Sequence, residues 1–241
     1  MLSILQLILD FLILDIGSFP ISLFMFEPYS FVIQILKDTT LKKLLIFVIT
    51  LFILCPIFSE EIDIYHGTAS TYNTILKDLY DSDYAIRYET DNEHYYLVTS
   101  DYLNQGWIFL NHENIVTLRY ILNKYLEWES MAIEKQVAIE KDIPDSRIST
   151  KVSWLYGDDY YNSNHFNLYF VFFSQNENWH QLVIKSNKAE SSKNEYIDYK
   201  LDSLYLNKEN VLDLLNSISD KSIEIVINDY NNLQNIEDDF N

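Results

Sequence analysis

From residue 60 onward, apolar and polar positions alternate along most segments and fall at helical spacing in a few. Residues 60–66 alternate, with Ile62 and Ile64 on one face, which predicts a short strand. Residues 71–80 place Tyr72, Ile75, Leu76 and Leu79 at helical spacing and predict a short helix. Residues 84–89 and 95–99 are strand-like on either side of the turn cluster at 90–94, the pattern of a hairpin. Residues 107–110 form another strand. Asn111 then caps a helix with a buried stripe of Ile115, Leu118, Leu122 and Tyr125, running to about Lys141 and stopped before Pro144. The second half predicts strands at 148–156, 167–174 and 179–186, with a polar acidic loop at 157–165 and a turn at 175–178. Residues 187–194 read as loop and 196–206 alternate. Residues 207–219 read as a helix burying Val211, Leu214, Leu215 and Ile218. A β-branched strand follows at 223–227, then a polar acidic tail at 228–241.

The first 59 residues are patterned differently. Lys42 and Lys43 precede an uncharged run from Leu44 to Ser59, 16 residues long. As a helix this spans roughly 24 Å, short of the roughly 30 Å bilayer core. Ile57 and Ser59 suit the −3 and −1 positions of a cleavage site, and Glu60, Glu61 and Asp63 follow. Residues 41–59 therefore read as a secretory signal peptide, with an uncleaved membrane anchor as the alternative. Residues 1–40 hold two apolar stretches, one interrupted by Asp10 and Asp15, the other by Pro20, Glu27 and Pro28. They read as sequence upstream of the true start, or as a hydrophobic N-terminal extension. The chain is expected to be exported to the periplasm or cell exterior. The alternative is a membrane-anchored protein with its C-terminal domain outside. Membrane contact is expected only through the N-terminal hydrophobic segment.

An internal echo sets the expected architecture. Phe109-Leu-Asn-His-Glu-Asn-Ile115 with Leu118 matches Tyr205-Leu-Asn-Lys-Glu-Asn-Val211 with Leu214. Each copy follows a predicted hairpin. The pattern predicts an α+β protein of two similar β-rich units, residues 60–146 and 147–227, each built as hairpin, strand and helix and sharing a core. In that scheme residues 187–194 are an exposed insertion. The alternative is a single antiparallel sheet with helices on one face. The order of strands then helix, twice, is similar to the layout of PUR-type and PC4-like single-strand nucleic-acid-binding proteins, in order only and without a shared motif.

Charge narrows the partners. The chain has 17 Lys+Arg and 36 Asp+Glu. Three lysines and four acids precede Glu60, leaving 14 bases, 32 acids and a net charge of −18 after it. Such a surface repels phosphate backbones, so no nucleic acid is expected as a partner. The lone Cys55 precedes Glu60, which removes thiol chemistry from the rest. Only Gly67, Gly106 and Gly157 remain there, too few for the glycine-rich loops that cradle phosphates. No cofactor and no metal site is expected. His66, His94, His112, His165 and His180 fit no metal-ligand spacing, and Asp81, Asp83, Asp91, Glu93, Asp158 and Asp159 lack the EF-hand spacing.

Aromatic residues give the one candidate site. Tyr160, Tyr161, Tyr169 and Trp179 crowd one region beside Asp158 and Asp159. Tyr and Trp bury area at little entropic loss, so an outward row beside carboxylates suits a sugar, peptide or protein ligand. The functional expectation is an exported, non-enzymatic binding or structural module. The alternative is a secreted hydrolase using acidic residues on glycan or peptide substrates, with its catalytic residues unassigned.

Overall fold

The structure, a computed structural model, describes residues 61–73, 77–100 and 105–238. The predicted signal segment and the forty residues before it lie outside these. Chain order is β1 (Glu61–Asn73), β2 (Asp78–Glu89), β3 (His94–Ser100), β4 (Gln105–Leu110), α1 (His112–Lys135), β5 (Glu140–Asp142), β6 (Ile148–Tyr156), β7 (Asp159–Asn176), β8 (Trp179–Ser186), β9 (Ala189–Glu190), β10 (Asp198–Tyr199), β11 (Leu204–Leu206), α2 (Lys208–Ser217) and α3 (Asp220–Asp238).

Eight strands close into an antiparallel barrel in the order β1-β2-β3-β4-β6-β7-β8-β11 and back to β1. β5 adds to β7, and β9 pairs only with β10. The expectation of two similar α+β units, and the alternative of a single open sheet with helices on one face, are both overturned. Neither half is closed by its own helix. β4 of the first half pairs with β6 of the second, Gln105 opposite Leu155, and β1 pairs with β11, Ser70 opposite Tyr205. Closure gives every barrel strand two neighbours and removes the edges that either open arrangement would expose. Alternation reports that one face of each strand is buried; it does not report that the sheet returns to itself.

The inward side chains make a dry core. Ile86, Ile108, Trp154, Phe166, Leu168 and Phe172 are at most 1% exposed. The helices fill one end. Asn111 and Asn207 are both N-caps with capping boxes, paired with Asn114 and Asn210, and their backbone angles nearly coincide (φ −85°, ψ 177° and φ −77°, ψ 177°). Each cap starts a helix that turns leucine inward, Leu118 from α1 and Leu214 from α2. The two leucines line one void of about 10 Å³ with Ile86, Leu97, Phe170 and Ile184. The echo is therefore a match of caps and core positions within one barrel.

The opposite end is closed by the segment after β8. The insertion expected to be exposed at residues 187–194 is so only in part: Lys188, Glu190 and residues 192–194 are exposed, while Ala189 and Ser191 are buried. Ala189 is 1% exposed in β9, and the segment through its partner strand β10 lays Tyr199 and Leu201 into the core. Gly106 permits this, because a Cβ there would collide with the Tyr199 hydroxyl.

Three local readings also change. Residues 71–73 and 78–80 are strand, in a β1–β2 ladder reaching from Glu61 opposite Glu89 to Asn73 opposite Asp78. That ladder outweighs a helical spacing carried by four residues. Residues 223–227 are helical. Ser219 accepts from the Ser222 N–H at 3.3 Å to start α3, and Ile223, Val226 and Ile227 pack on the core at helical spacing. The tail continues this helix to Asp238. Residues 157–165 are not a loop: Gly157, at φ 63°, turns the chain directly into β7.

Candidate functional site

The barrel interior is not a ligand site. An eight-stranded barrel is just wide enough for side chains or one small ligand, and here side chains fill it, leaving room for about one water. The outside is polar: on β1 and β2, Arg87 pairs with Asp63 at 2.7 Å and Glu61 at 3.0 Å. On those two strands, apolar inside and charged outside is the reverse of a transmembrane barrel's patterning. Open space for a ligand among the described residues therefore lies on the outer surface.

The structure divides the six candidate residues. Asp158 and Asp159 are exposed at the β6–β7 turn, and Tyr160, 60% exposed, lies 5.8 Å from the Trp107 ring on the outer face. Tyr161 turns the other way. It stacks on buried Trp154 at 6.1 Å, and Tyr199 stacks on Trp154 at 5.7 Å, so Tyr161 belongs to the core edge. Tyr169 lies nine residues beyond Tyr160 on the same strand, roughly 30 Å away at about 3.4 Å per residue. Trp179 lies past the next turn. Asp158, Asp159 and Tyr160 are thus separated from Tyr169 and Trp179.

Tyr169 and Trp179 do share a face. Period-two alternation sends Tyr169, Val171 and Phe173 of β7 outward, together with Trp179, Gln181, Val183 and Lys185 of β8. Tyr205 of β11 joins them opposite Val183 and meets Phe173 edge-on at 6.2 Å. Val171 and Val183 form the floor. A groove of about 440 Å³ at one end is lined by Trp179, Gln181, Tyr205, Asp81, Glu209 and Asn210. A groove of about 600 Å³ at the other is lined by Tyr169, Arg147, Lys185, Asp142, Asp145 and Ser146. Roughly 20 Å of β8 separates Lys185 from Trp179, six residues at about 3.4 Å each.

The side chains of this track are held in place. His180 points inward beneath Trp179, stacked on Phe172 at 5.5 Å. Its Nε2 faces the Glu177 carbonyl at 3.2 Å, so that nitrogen carries the proton and Nδ1 accepts from the Ser174 hydroxyl at 2.7 Å. The Tyr125 hydroxyl donates to the His180 carbonyl at 2.9 Å. A Ser–His contact can activate a nucleophile, but this ring is buried with its second nitrogen on a backbone carbonyl, and it staples the hairpin that presents Trp179. On β11, burial, aided by Glu140, raises the pKa of Tyr205, which keeps its hydroxyl a donor. At the groove near α2, the Asn210 side-chain amide donates to the Thr68 carbonyl at 3.1 Å. Ser70 and Thr68 donate to Asp81 and Asp83 at 3.5 and 3.1 Å. Among the described residues no three His, Cys, Asp or Glu side chains gather as a metal site.

Sequence reasoning missed Arg147, Gln181, Lys185, Tyr205 and Asn210 as companions of Tyr169 and Trp179. Alternation along residues 179–185 carried part of the signal, since Gln181 and Lys185 share parity with Trp179. Arg147 and Asn210 arrive only through the β6–β7 and β1–β11 pairings. No protein-family model, no curated protein and no solved structure matches the chain.

Proposed function

We propose that the protein is exported and acts as a non-enzymatic glycan-binding module, holding a sugar chain along the outer face of β7, β8 and β11 between Tyr169 and Trp179. The observation that carries this reading is the aromatic row itself: Tyr169, Phe173, Tyr205 and Trp179 on one face, with a groove holding charged side chains at each end. Aromatic faces take the apolar faces of sugar rings, while amides and carboxylates such as Gln181, Asn210, Asp81 and Glu209 bond the hydroxyls. The net charge of −18 favours neutral or mixed-charge ligands over polyanions. Export rests on the basic-then-apolar pattern of residues 41–59.

The test is retention of the protein spanning residues 60–241 on immobilised cell-envelope and plant polysaccharides, with Trp179→Ala in parallel. The expected result is retention of the parent on at least one polysaccharide, its loss in Trp179→Ala, and recovery of the bound oligosaccharide intact. Equal retention of parent and variant would remove the track from the reading. Shortened oligosaccharide in the eluate would favour the hydrolase alternative instead.

A further inference from the structure

The two ends of the track differ in charge. Around Trp179 the ionisable lining is acidic, Asp81 and Glu209. Around Tyr169 it is mixed: Arg147 and Lys185 with Asp142 and Asp145. Lys185 is the cross-strand partner of Tyr169 and reaches Glu140 at 3.7 Å. Arg147 approaches Tyr169 with its guanidinium 5.8 Å from the ring centre. The row across the strands is thus cation, aromatic ring, cation.

Arg147 is the unusual member. The chain has three arginines. Arg87 is paired with Glu61 and Asp63, and Arg119 with Asp220. Among the described residues Arg147 has no carboxylate within ion-pair distance, although Asp142 and Asp145 line the same groove and acids outnumber bases 32 to 14 after Glu60. Its Nε donates to the Asn167 Oδ1 at 3.0 Å, and the Ser149 hydroxyl donates to the same oxygen at 2.7 Å. Asn167 is fixed in turn by its backbone N–H, which donates to the Asn187 side chain at 2.6 Å. One edge of the guanidinium is therefore anchored, and its terminal nitrogens are left without a carboxylate.

A guanidinium held in this way suits a ligand carboxylate, which it grips with two parallel N–H bonds. Asp142 and Asp145 restrict the choice further. They repel a densely anionic ligand and accept bonds from hydroxyls. A ligand with one carboxylate and several hydroxyls satisfies both sets of groups.

We infer that the Tyr169 end of the track reads an acidic sugar, a uronic-acid residue within the bound chain, through Arg147 with Lys185 in support. This rests on the glycan reading above. The experiment compares binding of the protein to a panel of hetero-oligosaccharides that each carry one uronic-acid residue among neutral sugars, each beside its carboxyl-reduced neutral counterpart, for the parent, Arg147→Gln, Arg147→Lys and Trp179→Ala. The parent is expected to prefer the acidic form of at least one pair by about tenfold. That preference should shrink as salt rises, because salt screens the exposed charges. Arg147→Gln should abolish the preference, so that the acidic and neutral forms of each pair bind equally. Arg147→Lys should keep only part of it, since an ammonium lacks the fork. Trp179→Ala should weaken both forms alike. If the parent binds a pair without preference, or Arg147→Gln leaves the preference intact, the acidic-sugar inference is overturned and the glycan reading stands. If the parent binds neither form of any pair and no polysaccharide retains it, the glycan reading fails and this inference with it.

Discussion

The two ends of β7 have similar composition and opposite fates. Near its start, Tyr160 and Tyr161 follow two aspartates; further on, Tyr169, Phe170, Phe172 and Phe173 lead to Trp179. At the first end Tyr161 folds inward onto the stack of Trp154 and Tyr199, and the core draws the aromatic density in. At the second end Phe170 and Phe172 fill the barrel, while Tyr169 and Phe173 stay outside with Trp179 and Tyr205. Aromatic content alone does not distinguish a packing site from a display site. Strand parity does so within one strand. The neighbouring strands decide whether the displayed ring has polar groups beside it.

The sharpest way to break this comparison is to delete one tryptophan from each end. Trp154 is fully buried between two tyrosines, and among the described residues its indole N–H meets no hydrogen-bond partner, so the stability it contributes comes from packing. Trp154→Ala is expected to cost about 3–5 kcal/mol in urea unfolding. Trp179 is 51% exposed, and Trp179→Ala should shift stability by about 0.5 kcal/mol or less while abolishing retention on polysaccharide. Comparable unfolding free energies for the two variants would mean that the ends do not differ as described.

A smaller effect tests how the core end is built. The Tyr199 ring occupies the space that a side chain at position 106 would need, with its Cζ 2.5 Å from where that Cβ would lie. Gly106→Ala should therefore destabilise by about 1–3 kcal/mol through overpacking. In a Tyr199→Leu background the same change should cost much less, since neighbouring sites that compete for one space are not additive. Additive losses in thermal or urea melts would show that Tyr199 does not lie against β4.

Local signals carried much of the secondary structure. Asn111 and Asn207 were legible as caps because capping chemistry spans three residues. The hairpin of β2 and β3 was legible from its turn cluster, and the inward and outward split of 169–173 from alternation. Barrel closure was not legible. It depends on Ser70 meeting Tyr205, a contact that leaves no pattern in either segment. The same pairing brings Asp81 and Asn210 to Tyr205, so half of the candidate site was hidden for the same reason. Residues 223–227 read as strand because β-branched residues raise strand propensity, whereas three apolar positions at helical spacing and the Ser219 cap decide the outcome here. Residues 187–194 read as loop by composition, and nothing local shows that the ribbon they begin would send Tyr199 into the barrel.

The mildest test concerns Tyr205, a display residue that lines the Trp179 groove. Burial raises its pKa, and the nearby Glu140 carboxylate adds to the shift. A tyrosine whose pKa is raised in the folded state contributes stability that is fully present below the unfolded value of about 10 and is lost as pH climbs through the folded value. The stability of Tyr205→Phe should therefore decline less between pH 10 and higher pH than that of the parent, while the two decline in parallel below it. The site can be followed directly by labelling tyrosine Cζ and assigning the Tyr205 resonance by its loss in Tyr205→Phe. Its midpoint should lie above the ordinary tyrosine value. Glu140→Gln should move that midpoint down part of the way, because burial remains after the carboxylate is removed. A midpoint unchanged by Glu140→Gln would place Glu140 away from the track, and an ordinary midpoint would mean that Tyr205 is not packed against Phe173.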